Sequence, residues 1–124
     1  MKVLDYLEQI EKLDVSIKQK FQEKDECIKI SSYIDDKALK DKISSLATQI
    51  NSDIELFVFT RDQIINEIQG LSKTNYQKVL YKKYVELKSF SLIAKEMNYT
   101  YQWIIQMHSE ALAEFTTTYA SLLE

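Results

Sequence analysis

The chain has 124 residues, of which 45% are hydrophobic, so it is long enough to bury one modest core. Its 16 basic and 19 acidic residues give a formal net charge of −3, which excludes a protein that coats nucleic acid through bulk positive charge. No apolar run reaches the roughly 20 residues of a membrane span, and the N-terminus turns acidic too early for a signal peptide, so we expect a cytoplasmic protein without a membrane partner.

The composition also predicts the fold class and argues against catalysis. There is no proline and only one glycine, so the residues that hairpins and tight turns need are nearly absent, and an all-α fold is expected. A single Cys27 and a single His108 are too few for a zinc site or a disulfide. No acid–base pair, paired nucleophile or phosphate-binding glycine loop is visible. We therefore expect no enzyme, no cofactor and no metal.

The first half of the chain has two stretches of heptad-like spacing. The first stripe consists of Val3, Leu7, Ile10, Ile17, Phe21 and Ile28. Cap- and turn-forming residues at 31–36 then predict a connection between helices. The second stripe predicts a helix of about 36–69 and consists of Leu39, Ile43, Leu46, Ile50, Phe57, Ile64, Ile68 and Leu71, with Asp53 and Thr60 or Arg61 in the gaps.

These two helices are expected to form an assembly module, residues 1–70. Joined by a short connection, they either fold back as an antiparallel hairpin or lie against a second copy of the chain. Polar residues in the stripes, such as Asp14 and Lys24, suit a short bundle and can set register and oligomeric state. A homodimer through this region is the favoured interpretation.

The only glycine predicts a boundary at 70–73, followed by a second domain at 71–124. Gly70 stands directly after the periodic run, where a helix often ends on a left-handed residue. Ser72 or Thr74 is expected to cap the next helix, which should end near Leu87 and Lys88. The first 70 residues carry 10 basic and 14 acidic side chains, whereas the remainder carries 6 and 5. Any nucleic-acid contact is therefore expected in the second domain.

Residues 89–115 have the pattern of a helix-turn-helix, which forms the last two helices of a predicted three-helix domain. Ser89 can cap a helix over 90–97, and Ala94 is small at the point where the two helices approach most closely. Asn98 stands at the turn position that must adopt positive φ. The core positions are expected at Ile93, Met97, Ile104 and Met107. Because amphipathicity alone does not require Ala94 and Asn98, the pattern predicts a helix-turn-helix specifically.

Three segments of this region, Tyr81–Glu86, Ser89–Thr100 and His108–Leu112, resemble the C-terminal region of ArpU and RinA-like phage transcriptional regulators. That region is itself similar to region four of bacterial sigma factors. The opening of the chain, Tyr6–Ile10 with Leu13 and Asp14, resembles the same family. The resemblance implies a phage or prophage transcriptional regulator that binds double-stranded DNA. The family pattern usually has basic residues near the positions of Gln102, Gln106 and Glu110.

The second helix of the motif is expected to read the bases of an AT-rich DNA site. Lysines of the preceding segments, residues 73–95, are expected to contact the phosphates. Its exposed positions, the base-reading candidates, are Thr100, Tyr101, Gln102, Ile105, Gln106 and Ser109. Glutamine can pair with adenine through two hydrogen bonds. Because 100–115 contains no lysine or arginine, phosphate contacts must come from elsewhere. The phosphate candidates are Lys73, Lys78, Lys82, Lys83, Lys88 and Lys95.

A protein partner is the alternative to DNA. A reading face that is neutral to acidic and partly apolar suits docking on RNA polymerase or another regulatory protein, with Tyr101, Trp103 and Ile105 as anchors. The sequence leaves open whether Trp103 packs on the preceding helix or is an exposed anchor. His108 lies on the inner arc of its helix and is expected to be a hydrogen-bonded core residue.

Overall fold

The protein, described over residues 1–124 by a computed structural model, consists of helices joined by short connections and has no strand. The helices are α1 (Val3–Leu7), α2 (Gln9–Ser31), α3 (Lys37–Gln69), α4 (Thr74–Leu80), α5 (Phe90–Met97) and α6 (Tyr101–Thr118). α4 continues as one π-helical turn, Tyr81–Val85, and a short 3-10 turn, Ala120–Leu122, follows α6. The predicted all-α class is confirmed, and so is the predicted long helix of about 36–69, which is α3. No helix combines the length and the apolar character that a membrane crossing requires.

The chain divides into two compact units. One contains Met1–Glu11 together with Thr60–Glu124, and the other contains Lys12–Phe59. The predicted division at residue 70 therefore falls inside the first unit, because α1 and the end of α3 belong with the C-terminal helices. Tyr6 of α1, for example, packs on Phe115 of α6 with ring centroids 5.9 Å apart.

The second unit is a hairpin of α2 and α3. Lys20 pairs with Asp53, and Lys42 pairs with Glu23 at 2.7 Å, so positions later in α2 meet positions earlier in α3. This order makes the two helices antiparallel. The buried apolar side chains of the hairpin are Cys27, Leu46 and Ile50. Of the two arrangements that the sequence allowed, the hairpin within one chain is the one that covers the inner stripe of α3.

The predicted inner stripe of α2 is wrong in its second half. Phe21 and Ile28 were assigned to it, but they are 41% and 44% exposed, whereas Cys27 is buried. Lys20 takes an inner position instead and pairs there with Asp53. Because neighbouring residues of a helix differ by about 100° in direction, a shift of one position is enough to exchange these residues between the inside and the outside.

The reason for a glycine at position 70 differs from the predicted one. Gly70 does not have positive φ, so it is not the left-handed end of α3. A β-carbon at this position would instead collide with the hydroxyl of Tyr119, which donates a hydrogen bond of 2.6 Å to the Glu67 carbonyl oxygen. The cap of α4 is also corrected, since its N-cap residue is Lys73 and no side chain caps the helix. The side chain of Ser72 donates to Glu114 instead.

The first unit contains a buried carboxylate. Glu67 is only 8% exposed, and burial raises the pKa of its carboxyl above the usual value. Tyr6 donates its hydroxyl to this carboxylate, at 2.6 Å from Oε2. A buried polar group is tolerated when it is hydrogen-bonded. The hydrogen bond between Tyr6 and Glu67 connects α1 to the last turns of α3. Nothing in the local sequence of either residue predicted this contact.

Candidate nucleic-acid interface

The turn between α5 and α6 has the geometry that the sequence predicts. The side chain of Ser89 caps α5 by accepting a hydrogen bond from the Leu92 backbone N–H at 3.2 Å. Asn98 ends the helix in the left-handed region, with φ 58° and ψ 42°. The backbone N–H of Tyr99 then donates to the Ala94 carbonyl at 3.0 Å. A left-handed residue followed by this bond is the Schellman termination of a helix.

The next helix, α6, begins at Tyr101 and packs against α5. Thr100 caps α6, because its hydroxyl accepts a hydrogen bond from the Trp103 N–H at 3.1 Å. One core cluster joins α4, α5 and α6 and consists of Val79, Ile93, Ala94, Ile104 and Met107, with Phe90 and Met97 packed against it. The predicted small residue and core positions are confirmed, although Met97 is only partly buried. A rigid core therefore positions the outer face of α6.

The outer face of α6 carries uncharged polar groups. Gln102, Gln106 and Ser109 are exposed, as predicted. Gln106 makes only a long contact of 3.4 Å with Glu110. Glu110 is held in place, because it accepts a hydrogen bond of 2.9 Å from the hydroxyl of Tyr76 on α4. Amide and hydroxyl groups of this kind can donate to and accept from base edges without carrying a charge.

The remaining base-reading candidates differ in how exposed and how available their side chains are. Thr100 is exposed, but its hydroxyl is engaged in the cap of α6. Tyr101 is 50% exposed and Trp103 is 42% exposed, so Trp103 is not a packing residue of the core. Ile105 is half-buried, which corrects its prediction as an exposed position. Of the three anchor candidates, Tyr101 and Trp103 therefore have accessible aromatic rings, which lie beside the polar face of α6.

Four of the six phosphate candidates already have partners within the chain. Lys82 and Lys88 both pair with Glu96, at 2.7 and 2.9 Å. Lys88 also pairs with Glu86 at 3.0 Å. Two further lysines lie over aromatic rings, Lys73 over Tyr76 at 5.1 Å and Lys83 over Phe90 at 4.5 Å.

Two of the six phosphate candidates have no partner within the chain. Lys78 and Lys95 are exposed and make no ion pair. The pairing of Lys82 and Lys88 was not predicted, because their partner Glu96 is 14 and 8 residues away and carries no local signal. Lys82 lies in the π-helical turn, Lys88 lies in the connection that follows it, and Glu96 lies on α5. These hydrogen bonds raise the pKa of Lys88 above its usual value. They lower the pKa of the Glu96 carboxyl below its usual value.

The single histidine is a structural residue of this domain, as expected. The Nε2 atom of His108 is 2.6 Å from the hydroxyl of Tyr84, and its ring meets Phe90 edge-on with centroids 4.8 Å apart. Burial, with a smaller contribution from the positive charge of Lys83, lowers the pKa of His108 to about 4. The imidazole is therefore neutral at physiological pH. No group of histidine, cysteine and acidic side chains is arranged to hold a metal ion.

Replacement of the turn residue tests the geometry of the motif. Asn98→Gly is expected to change the free energy of unfolding by less than about 0.5 kcal/mol, because glycine adopts positive φ without strain. Asn98→Ala should destabilise the protein by about 1–2 kcal/mol, since alanine is strained in the left-handed region. Urea unfolding measures both values, with the exposed Lys95→Ala as a nearby control. If alanine and glycine were equivalent at position 98, the assigned turn would be wrong.

Comparison of the chain with protein-family models, with curated proteins and with solved structures gives no match.

Proposed function

We propose that this chain is a DNA-binding transcriptional regulator, of the phage type that its sequence resembles, and that α6 reads bases in the major groove of an AT-rich site. The observation that carries the proposal is the turn at Asn98, with α5 and α6 both capped and packed on one core. This arrangement presents the outer face of α6 as a recognition helix does. Gln102 and Gln106 are the base-reading residues of the proposal, with Ser109 beside them.

The charges near α6 determine which residues can contact phosphates and how strongly DNA binding should depend on salt. α6 has no lysine or arginine, and two lysines of the preceding elements are held by Glu96. Lys78 and Lys95 are therefore the phosphate contacts of the proposal. With few phosphates neutralised per chain, the dependence of affinity on salt should be shallow. Base contacts then supply an unusually large share of the binding free energy.

The experiment is a selection from random duplex DNA at low salt, followed by titrations with the selected site. Gln102→Ala and Gln106→Ala should each lose about 1–3 kcal/mol for the selected site and little for random duplex. Lys78→Ala and Lys95→Ala should weaken both duplexes alike, because phosphates carry no sequence information. The exposed Gln22→Ala on α2 is the matched control. Absence of duplex binding at low salt by the folded protein would overturn the proposal.

Docking on RNA polymerase or another regulatory protein is the second candidate, and one observation favours it. Trp103 and Tyr101 expose 42% and 50% of their surface next to an α6 face without cations. Exposed aromatic residues of this kind are typical anchors of protein interfaces. In this case Trp103→Ala should abolish a protein complex, whereas Lys78→Ala and Lys95→Ala should have no effect. Parallel titrations of the three variants therefore separate the two functions.

A further inference from the structure

The middle of α3 has an apolar surface that the α2–α3 hairpin leaves exposed. Between positions 54 and 59, Glu55 is the only residue that is not apolar. Phe57 continues the inner stripe of the hairpin and is half-buried. The other four side chains are exposed, by 38% at Ile54, 51% at Leu56, 51% at Val58 and 68% at Phe59. We call these four residues the α3 apolar face.

The directions of these side chains show that the hairpin alone cannot cover them. Successive residues of a helix differ by about 100°, so the α3 apolar face extends over more than half of the circumference of the helix. A helical segment that is apolar on all sides is normally buried on all sides. Contiguous exposed apolar surface of this kind usually marks an interface. The inner stripe of α3 is already occupied by α2, which leaves the α3 apolar face available to another chain.

The charges around the α3 apolar face indicate which chain this is. From Ile43 to Thr60, α3 contains two acidic residues and no basic residue. Asp53 is paired with Lys20, which leaves Glu55 as the only unpaired charge of this segment. This segment of α3 offers nucleic acid no cation, the nearest to the α3 apolar face on the helix being Arg61, and it offers a strongly charged protein little to pair with. A second copy of the chain brings the same nearly neutral surface, and depletion of charge with enrichment of aromatic residues is typical of interface cores.

We propose that a second copy of this chain packs on the α3 apolar face and that the protein is a homodimer through this surface. A two-fold interface uses the same patch on both chains, so the four residues are contributed twice. The surface differs from the predicted stripes, whose members on α3 are largely used within one chain. The proposal does not depend on DNA binding, although two copies would supply two recognition helices.

The test measures the mass of the full-length chain in solution without DNA. Light scattering behind size exclusion should give twice the 14.6 kDa chain mass for the wild type at about 100 µM, a concentration at which even weak dimers form. Val58→Glu and Phe59→Glu should each weaken the dimer by about 10-fold or more, because a charge would be buried in the interface. Both side chains are exposed in the single chain, so glutamate fits without disturbing the hairpin.

Two controls make the result specific. Ile30→Glu changes a residue of α2 that is 48% exposed and lies outside the α3 apolar face, so the dimer should persist. Glu55→Gln should maintain or tighten the dimer, since it removes the one charge that both copies bring to the interface, whereas a basic partner would lose affinity. Circular dichroism confirms the helical fold of each variant, and Phe59→Ser replaces Phe59→Glu if the latter is unfolded.

A monomeric wild type, a dimer that survives both glutamate substitutions in the α3 apolar face, or equal dissociation by Ile30→Glu would overturn this proposal. None of these results bears on the DNA titrations. Conversely, a dimer without duplex binding would overturn the proposed function alone.

Discussion

Phe115→Ala is expected to lower the free energy of unfolding by about 3–5 kcal/mol, the usual cost of truncating a fully buried phenylalanine. Phe115 is completely inaccessible on α6. Its ring packs on Tyr119, with centroids 4.7 Å apart, and on Tyr6 of α1. The substitution would therefore leave a cavity between α6 and the N-terminal segment. Urea unfolding followed by circular dichroism gives the value.

The exposed neighbour Thr116→Ala is the control for this substitution and should stay within about 0.5 kcal/mol of the wild type. A loss of less than about 1 kcal/mol for Phe115→Ala would mean that the packing of α1 on α6 contributes little in solution. The expected result has a practical consequence for the helix-turn-helix. A fragment that begins at residue 71 lacks Tyr6 and the end of α3, so DNA titrations require the full chain.

Acidification is expected to weaken the C-terminal helices through His108. Its folded-state pKa is about 4, below the ordinary value of 6.5, so the unfolded chain binds the proton more tightly. Above pH 6.5 the side chain is neutral in both the folded and the unfolded chain, so the full stability is present. The free energy of unfolding decreases as the pH falls from 6.5 towards 4, because only the unfolded chain binds the proton in this range. Between pH 7 and pH 5 the loss from this one group amounts to about 2 kcal/mol.

His108→Gln isolates this effect. Glutamine does not titrate and can still hydrogen-bond the hydroxyl of Tyr84. Thermal unfolding of both proteins at pH 7 and pH 5 should show a smaller loss in the variant, by about 2 kcal/mol. The carboxyl groups with shifted pKa values, Glu67 and Glu96, are common to both proteins and cancel in the difference. Equal losses in the two proteins would show that His108 is accessible to protons in the folded state.

The sequence by itself determined the parts of this protein that depend on residues within one helical turn of each other. Ser89 and Thr100 cap their helices through a backbone N–H three positions later, and Asn98 adopts positive φ because its own side chain tolerates that conformation. The long helix α3 was predictable because apolar residues recur at helical spacing over most of its length, although polar residues interrupt the stripe at Asp53 and at Thr60 or Arg61. These features follow from local stereochemistry and helical periodicity, and both are legible in a single sequence.

Only the tertiary structure decided which distant residues meet. Glu67 is 61 residues from Tyr6, and Gly70 is 49 from Tyr119, so neither the buried carboxylate nor the reason for the glycine has a local signature. The outward position of Phe21 depends on a rotation of α2 that its partner α3 determines.

The candidate site follows the same division. Its outer face of Gln102, Gln106 and Ser109 was predicted from the register of α6, whereas the capture of Lys82 and Lys88 by Glu96 was not. The physical reason is that helical period specifies which side chains share a face. It does not specify which other element that face, or a long charged side chain beside it, will contact.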